Sequence, residues 1–203
     1  HDFFAGARLA RQFTDDEKSY RVAAATLLTL PGTPFLYYGE EIGLGQSAPV
    51  QHDDQAIRGP MSWDASPNAG FTKADKPFRP LVNNWKTHNV AAEAADPKSL
   101  LNWYRALIAL RNAEPALSVG RFVPVSEKDA PIFAFTREHD GTQLLVLINF
   151  AYRDATLALP AGFDAARWQT VLPAGVDSPL AGPAGKVRVR LAAQQVVVLK
   201  ARP

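Results

Sequence analysis

The chain has 203 residues, with 22 basic against 20 acidic side chains and a formal charge of +2. No long basic run interrupts that balance, which excludes the electrostatic footprint of a nucleic-acid or anionic-membrane binder. At 47% hydrophobic and 21% charged residues the composition is that of a globular protein and not of a disordered tail, and the absence of cysteine removes disulfides and thiolate metal sites.

No apolar stretch approaches the roughly 18 residues of a membrane span, and the N-terminus lacks the layout of a signal peptide. The chain opens on His1-Asp2-Phe3-Phe4 and its single methionine is Met61, so it is expected to derive from a longer polypeptide. Asp15 and Asp16 then precede a run, Glu17 to Leu30, in which Tyr20, Ala23, Ala24, Leu27 and Leu28 recur at three- and four-residue spacing. This predicts an amphipathic helix with acidic residues at its positive end, stopped by Pro31-Gly32. Pro34-Phe35-Leu36-Tyr37-Tyr38 follows as a short apolar run, which predicts a strand buried on both faces, as in a parallel sheet. Tyr37 and Tyr38 would then point to opposite sides and serve as core.

From Ile42 to about Asp96 periodicity vanishes. A loop of that length inside a compact domain is functional or disordered, and Met61, Trp63, Phe71, Phe78 and Trp85 favour function, being costly to leave solvated. Asp96-Pro97 reads as a helix cap with proline at the first helical position. Leu100, Trp103, Tyr104, Leu107 and Ile108 form the stripe of the helix that follows, to about Asn112.

Beyond Ser118 to Gly120 the character changes to short strand-like runs: 121–125, 132–137, 144–150, 155–159, 168–172, 187–191 and 196–200. Turn residues separate them, and Asp140-Gly141 is a hairpin signal. The expected architecture is α/β: the C-terminal portion of a (β/α)8 barrel over residues 1–118, followed by an antiparallel β-sandwich over 119–203.

Several motifs carry a family resemblance. Leu30-Pro-Gly-Thr-Pro-Phe-Leu-Tyr-Tyr-Gly-Glu-Glu-Ile-Gly43 resembles the eighth-strand motif of the α-amylase family, glycoside hydrolase family 13. Arg58-Gly-Pro-Met-Ser-Trp-Asp64 with Ser66-Pro-Asn-Ala-Gly-Phe-Thr72 is similar to the loop after that strand in bacterial α-amylases, α-glucosidases, oligo-1,6-glucosidases and trehalose synthases. Asn89-Val-Ala-Ala-Glu together with residues 96–111 resembles the final barrel helix. The resemblance implies that His1-Asp2 belongs to the motif ending the seventh strand. Asp2 would be the carboxylate that grips sugar hydroxyls and stabilises the transition state, and His1 would bond the same sugar.

Position alone would nominate Glu40 and Glu41 as catalytic, since they follow the C-terminal end of a barrel strand. The family instead places its nucleophile and acid/base on the fourth and fifth strands, so these two are read as structural. Arg58 is the remaining candidate, a guanidinium fork suited to paired sugar hydroxyls or, alternatively, to a salt bridge that ties the loop down. Two positions depart from the loop's usual pattern: Gly59, where Thr or Asp is common, and Ser62, where Gln is common. Trp63, Phe71 and Trp85 offer either sugar-stacking platforms or loop anchors. His52, His88 and His139 stand singly, without metal-ligand spacing, and Asp53-Asp54 reads as a solvated turn.

The resemblance implies a retaining glycosidase acting on the α-glucosidic bonds of starch or malto-oligosaccharides, with no cofactor or metal expected. α-Glucosidase or glucosyl-transferring activity is the near alternative. A carbohydrate-binding module centred on the β-sandwich, or a family member whose barrel has become a scaffold, are the other readings. By itself the chain is expected to be inactive and to need an upstream barrel segment as its partner, without which its apolar edges would face water.

Overall fold

The structure, a computed structural model, describes residues 7–13, 16–47 and 54–202. His1, Asp2, Asp15, His52 and Asp53 lie outside the described residues. These residues form two compact units, one comprising those up to Arg21 with Phe35–Arg105, the other Val22–Pro34 with Ala106–Pro203. Arg111 and Arg137 hydrogen-bond the carbonyl groups of residues 28–32, and so bind the end of one helix to a strand more than a hundred residues later.

After the short helix α1 (Leu9–Gln12), α2 (Glu17–Thr29) starts where Asp16 accepts hydrogen bonds from Lys18 N at 3.1 Å, Ser19 N at 3.3 Å and Ser19 Oγ at 2.8 Å. Its buried face is Tyr20, Val22, Ala24, Ala25 and Leu28. Leu27 is exposed and Ala23 half-buried, so the helix is rotated toward Val22 and Ala25 relative to the stripe read from sequence. Pro34–Tyr38 carries no strand ladder, Tyr38 lies in a turn, and Phe35 is 86% exposed, with Leu36 and Tyr38 each 41%. This corrects the expectation of a buried strand. Side chains take the place of a neighbouring strand: Tyr37 N donates to Glu40 Oε2 at 3.1 Å and Arg8 Nη1 donates to Tyr38 O at 2.7 Å.

The following segment is not without structure. Single helical turns at Glu40–Ile42 and Asp54–Ile57, and a left-handed turn through Asn68 and Ala69 at φ 58° and 56°, precede α3 (Val90–Ala95). Asn89 caps α3 by accepting from Ala92 N at 2.9 Å. Helix α4 (Leu100–Ala113) begins at Ser99 and not at Asp96-Pro97. Ser99 Oγ accepts from Asn102 N and Glu93 Oε2 from Leu101 N, whereas Asp96 turns the chain by accepting from Lys98 N. The core of the first unit is small: Ile42, Leu44, Val82 and Leu101, with Met61, Trp85 and Val90 against it.

In the second unit α5 (Pro115–Ser118) leads into β1 (Arg121–Pro124), β2 (Phe133–His139), β3 (Thr142–Ile148), β4 (Ala155–Ala158), β5 (Trp168–Leu172), β6 (Leu180–Ala181), β7 (Arg188–Leu191) and β8 (Val196–Ala201). They form two antiparallel sheets, ordered β1-β2-β3-β8-β5 and β4-β7-β6. The β2–β3 hairpin closes through Asp140 and Gly141, at φ 44° and 77°, the conformation that an Asp-Gly turn supplies. Ala134, Leu145, Leu147, Val197 and Leu199 of the larger sheet share one core with Val189 and Leu191 of the smaller, joined by Leu159, Trp168 and Leu180. Leu144, Val146 and Ile148 are equally buried on the opposite face, so β3 lacks the apolar-polar alternation of a strand with one wet side. Helix α5, with Ala116 and Leu117 buried, lies against β2 and β3. At Gly120 a Cβ would come within 2.3 Å of Ala116 O and 2.8 Å of Glu138 O, which explains glycine at the start of the β domain.

No helix among the described residues is long and apolar enough to cross a membrane.

Candidate functional site

Arg8 was not singled out by the sequence, yet it organises the first unit. It is 4% exposed. Its Nε and Nη2 donate to Ile57 O at 2.9 and 2.6 Å, and Nη1 to Tyr38 O at 2.7 Å. The guanidinium lies 4.9 Å from the ring centre of Tyr37 and 4.6 Å from that of Tyr38, so two ring faces and three carbonyl contacts solvate one cation. Tyr37 and Tyr38 therefore share a partner instead of pointing to opposite sides of a strand. The only sequence signal was an arginine in the otherwise apolar run Phe3 to Ala10.

Arg58 sits just after the Asp54–Ile57 turn with its N–H donating to Gln55 O at 3.2 Å, and the residue is exposed. Both neighbouring carbonyls are held: Ile57 O by Arg8, and Gly59 O by the Tyr38 hydroxyl at 2.8 Å. Gly59 itself is buried, and a Cβ there would lie 2.7 Å from Val82 Cγ1. The departure from Thr or Asp at that position is thus a packing requirement of this chain. Ser62 is fully buried, its Oγ without a hydrogen-bond partner among the described residues, while its carbonyl accepts from Val90 N at 3.0 Å. The loop is fastened to the start of α3 through main chain there, a contact that does not depend on a glutamine side chain.

Glu40 carries a carboxyl pushed upward by burial, against the opposing effects of the Tyr37 N–H and Arg8. Its Oε2 holds the Tyr37 N–H, in keeping with a structural part. Trp85 packs on the small core and acts as an anchor, whereas Trp63 and Phe71 are each half exposed. In the second unit, Phe150 and Tyr152 are exposed on the connection after β3. His88 contacts Thr87 Oγ1 and His139 contacts Asp140, and no group of three metal-ligating side chains occurs among the described residues. His1 and Asp2 lie outside the described residues, so Arg58 is the one sequence-nominated site residue whose surroundings are seen.

A cavity of about 1210 Å³ lies in the same unit, bordered by Tyr20, Gly45, Gln46, Asn84, His88 and Glu93 among others. Burial pushes the hydroxyls of Tyr20, on its wall, and of Tyr104 up. Glu93 is pushed up from 4.5 to about 7, chiefly by burial and further by the Glu17 and Glu41 carboxylates, against the Leu101 N–H and Arg21. The folded state therefore binds this proton more tightly than the unfolded chain. Stability contributed by protonated Glu93 is full below pH 4.5 and is lost as pH rises to about 7. Glu93→Gln keeps an acceptor for Leu101 N and removes the titration. It is expected to be more stable than the parent at pH 8 by about 1–2 kcal/mol, after discounting for partial exposure, and nearly equal to it at pH 4. Urea unfolding at the two pH values checks this, and a variant less stable at pH 8 contradicts it.

A family model described as "Alpha amylase, catalytic domain" matches residues 1–120. The trehalose synthase/amylase TreS of Mycolicibacterium smegmatis is 36% identical over 137 residues, 64% of this chain and 23% of that protein. The amino acid transporter heavy chain SLC3A1 of Mus musculus is 38% identical over 141 residues, 66% of this chain and 20% of that protein. Among solved structures, the trehalulose synthase MutB of Pseudomonas mesoacidophila superposes with a TM-score of 0.78 at 29% identity, over 97% of this chain and 41% of that one. The chain thus spans 20% and 23% of the length of these two curated relatives.

Proposed function

The chain belongs to the α-amylase family, and from that premise we propose that it is part of an enzyme that breaks α-glucosidic bonds with retention of configuration. Residues 1–118 would be the end of the family's catalytic (β/α)8 barrel, and 119–203 a β-sandwich. The match over residues 1–120 supports the first assignment, and the core shared by two antiparallel sheets supports the second. The exposed apolar side chains of Phe35, Leu36 and Tyr38 fit a barrel strand whose neighbours lie elsewhere in a longer polypeptide.

The observation that carries the reading is Arg58, fixed at the carbonyls on both sides on a loop of this family. The main chain is held there, and the guanidinium it carries is a fork of donors suited to paired sugar hydroxyls. Asp2 would grip hydroxyls of the same sugar and His1 would add a further bond. Retention requires two more carboxyl groups about 5 Å apart, a nucleophile and an acid/base. The resemblance to the family places that pair on the fourth and fifth barrel strands, in an upstream segment, and Glu40 here serves the Tyr37 N–H, so the 203 residues alone would not turn over substrate. The likeness to a trehalose synthase/amylase and a trehalulose synthase favours malto-oligosaccharides and related short α-glucosides over polymeric starch as the substrate class.

The test is to follow the full-length protein on maltotriose, trehalose, sucrose and soluble starch by NMR. The first-formed sugar is expected as the α-anomer, from the short substrates foremost. A β-anomer, or turnover by the 203-residue chain above a mock purification, contradicts this reading. The likeness to a transporter heavy chain favours a second one, in which the barrel is a non-catalytic scaffold. Complete lack of turnover by the full-length protein would select it.

A further inference from the structure

We infer that Arg8 and Tyr38 are positioning residues whose task is to aim Arg58, an inference that rests on the reading of Arg58 as a sugar contact. The direction in which a side chain leaves the main chain is set by the backbone on either side of its Cα. On one side of Arg58 the Ile57 carbonyl is fixed by two donors of Arg8 at 2.9 and 2.6 Å. On the other, one peptide further along, the Gly59 carbonyl is fixed by the Tyr38 hydroxyl at 2.8 Å. The two clamps are themselves joined, because Arg8 Nη1 donates to Tyr38 O at 2.7 Å and its guanidinium stacks on the Tyr38 ring. A single assembly, reaching 30 and 49 residues along the chain, therefore closes on both flanks of one exposed arginine.

The chemistry suits aiming better than simple anchoring. A loop can be anchored by apolar packing, as Met61 and Trp85 anchor this one. Burying a guanidinium carries a desolvation cost that is offset only when its donors find acceptors in fixed directions. All three donor nitrogens here go to main-chain carbonyls. Lysine, a point charge on a flexible stem, would keep the charge without the fork.

The test uses the full-length protein with maltotriose, reading KM and kcat separately and the melting temperature alongside. Arg58→Ala is expected to raise KM by about 10-fold or more, the loss of a charged hydrogen bond. Tyr38→Phe, which keeps the ring and deletes one hydroxyl, is expected to raise KM by about 3- to 10-fold with kcat within about twofold. Arg8→Lys is expected to raise it further. In the Tyr38→Phe/Arg58→Ala double variant, KM should equal that of Arg58→Ala alone, because a device that aims Arg58 has nothing left to aim. Multiplied effects in the double variant, or an unchanged KM in Tyr38→Phe beside a raised one in Arg58→Ala, overturn the inference and leave Arg58 as a sugar contact. An unchanged KM in Arg58→Ala overturns that contact and the inference with it.

Discussion

Replacing Arg137 with alanine is expected to destabilise the second unit by about 3–5 kcal/mol, the range for disrupting a buried charged network. Arg137 is fully buried on β2, where Nη1 donates to Thr29 O at 2.8 Å and Nη2 to Gly120 O at 3.0 Å. Arg111, also buried, donates to Leu28 O, Leu30 O and Gly32 O. Between them the two guanidinium groups satisfy the Leu28 and Thr29 carbonyls at the C-terminal end of α2 and the Leu30 and Gly32 carbonyls just beyond it, and they place positive charge at the negative end of that helix. Burial lowers both pKa values, and at Arg137 the neighbouring Arg111 adds to it. Alanine would strand the buried Thr29 carbonyl and the partly buried Gly120 carbonyl and leave a void. Arg137→Met fills the space without supplying donors and is expected to cost about 2–4 kcal/mol, the penalty for two unsatisfied acceptors. Urea unfolding followed by the fluorescence of buried Trp168 measures both variants. A neutral Arg137→Met would mean that the two carbonyls are satisfied without the arginine.

That network also marks the limit of what the sequence discloses. The strands were legible because short β-branched and aromatic runs alternate with turn residues, and Asp140-Gly141 sets the register of its hairpin locally. Helix α2 was legible through its cap and its period, although the buried face is turned toward Val22 and Ala25. Helix α3 was hidden because Val90–Ala95 buries none of its residues and so shows no apolar stripe. Asp96 and Ser99 are both good caps, and only the carboxylate of Glu93, reaching Leu101 N, decides for Ser99. Pro34–Tyr38 has the composition of a central strand, but a strand is a property of its partners, and its main chain is served here by Arg8 and Glu40. Arg58 stood in a motif and could be nominated. Arg8 could not, because its importance lies in carbonyls 30 and 49 residues away.

The largest functional effect is expected at Asp2. Hydroxyl contacts that tighten as the oxocarbenium ion develops contribute several kcal/mol to the transition state, and each 1.4 kcal/mol or so is tenfold in rate. Asp2→Asn in the full-length protein is therefore expected to lower kcat by roughly 1,000-fold or more, with a much smaller change in KM, because the interaction is strongest at the transition state. Glu40→Gln supplies the contrast. Its oxygen can still accept the Tyr37 N–H, and the carboxyl it replaces is already held upward by burial. Its kcat is expected to stay within about threefold of the parent, as for a residue that only fastens a turn. Single-turnover kinetics on an aryl α-glucoside separate the two outcomes without interference from product release. A loss in Glu40→Gln as large as in Asp2→Asn would move the chemistry onto the turn after Tyr38, and a small loss in Asp2→Asn would remove Asp2 from the transition state.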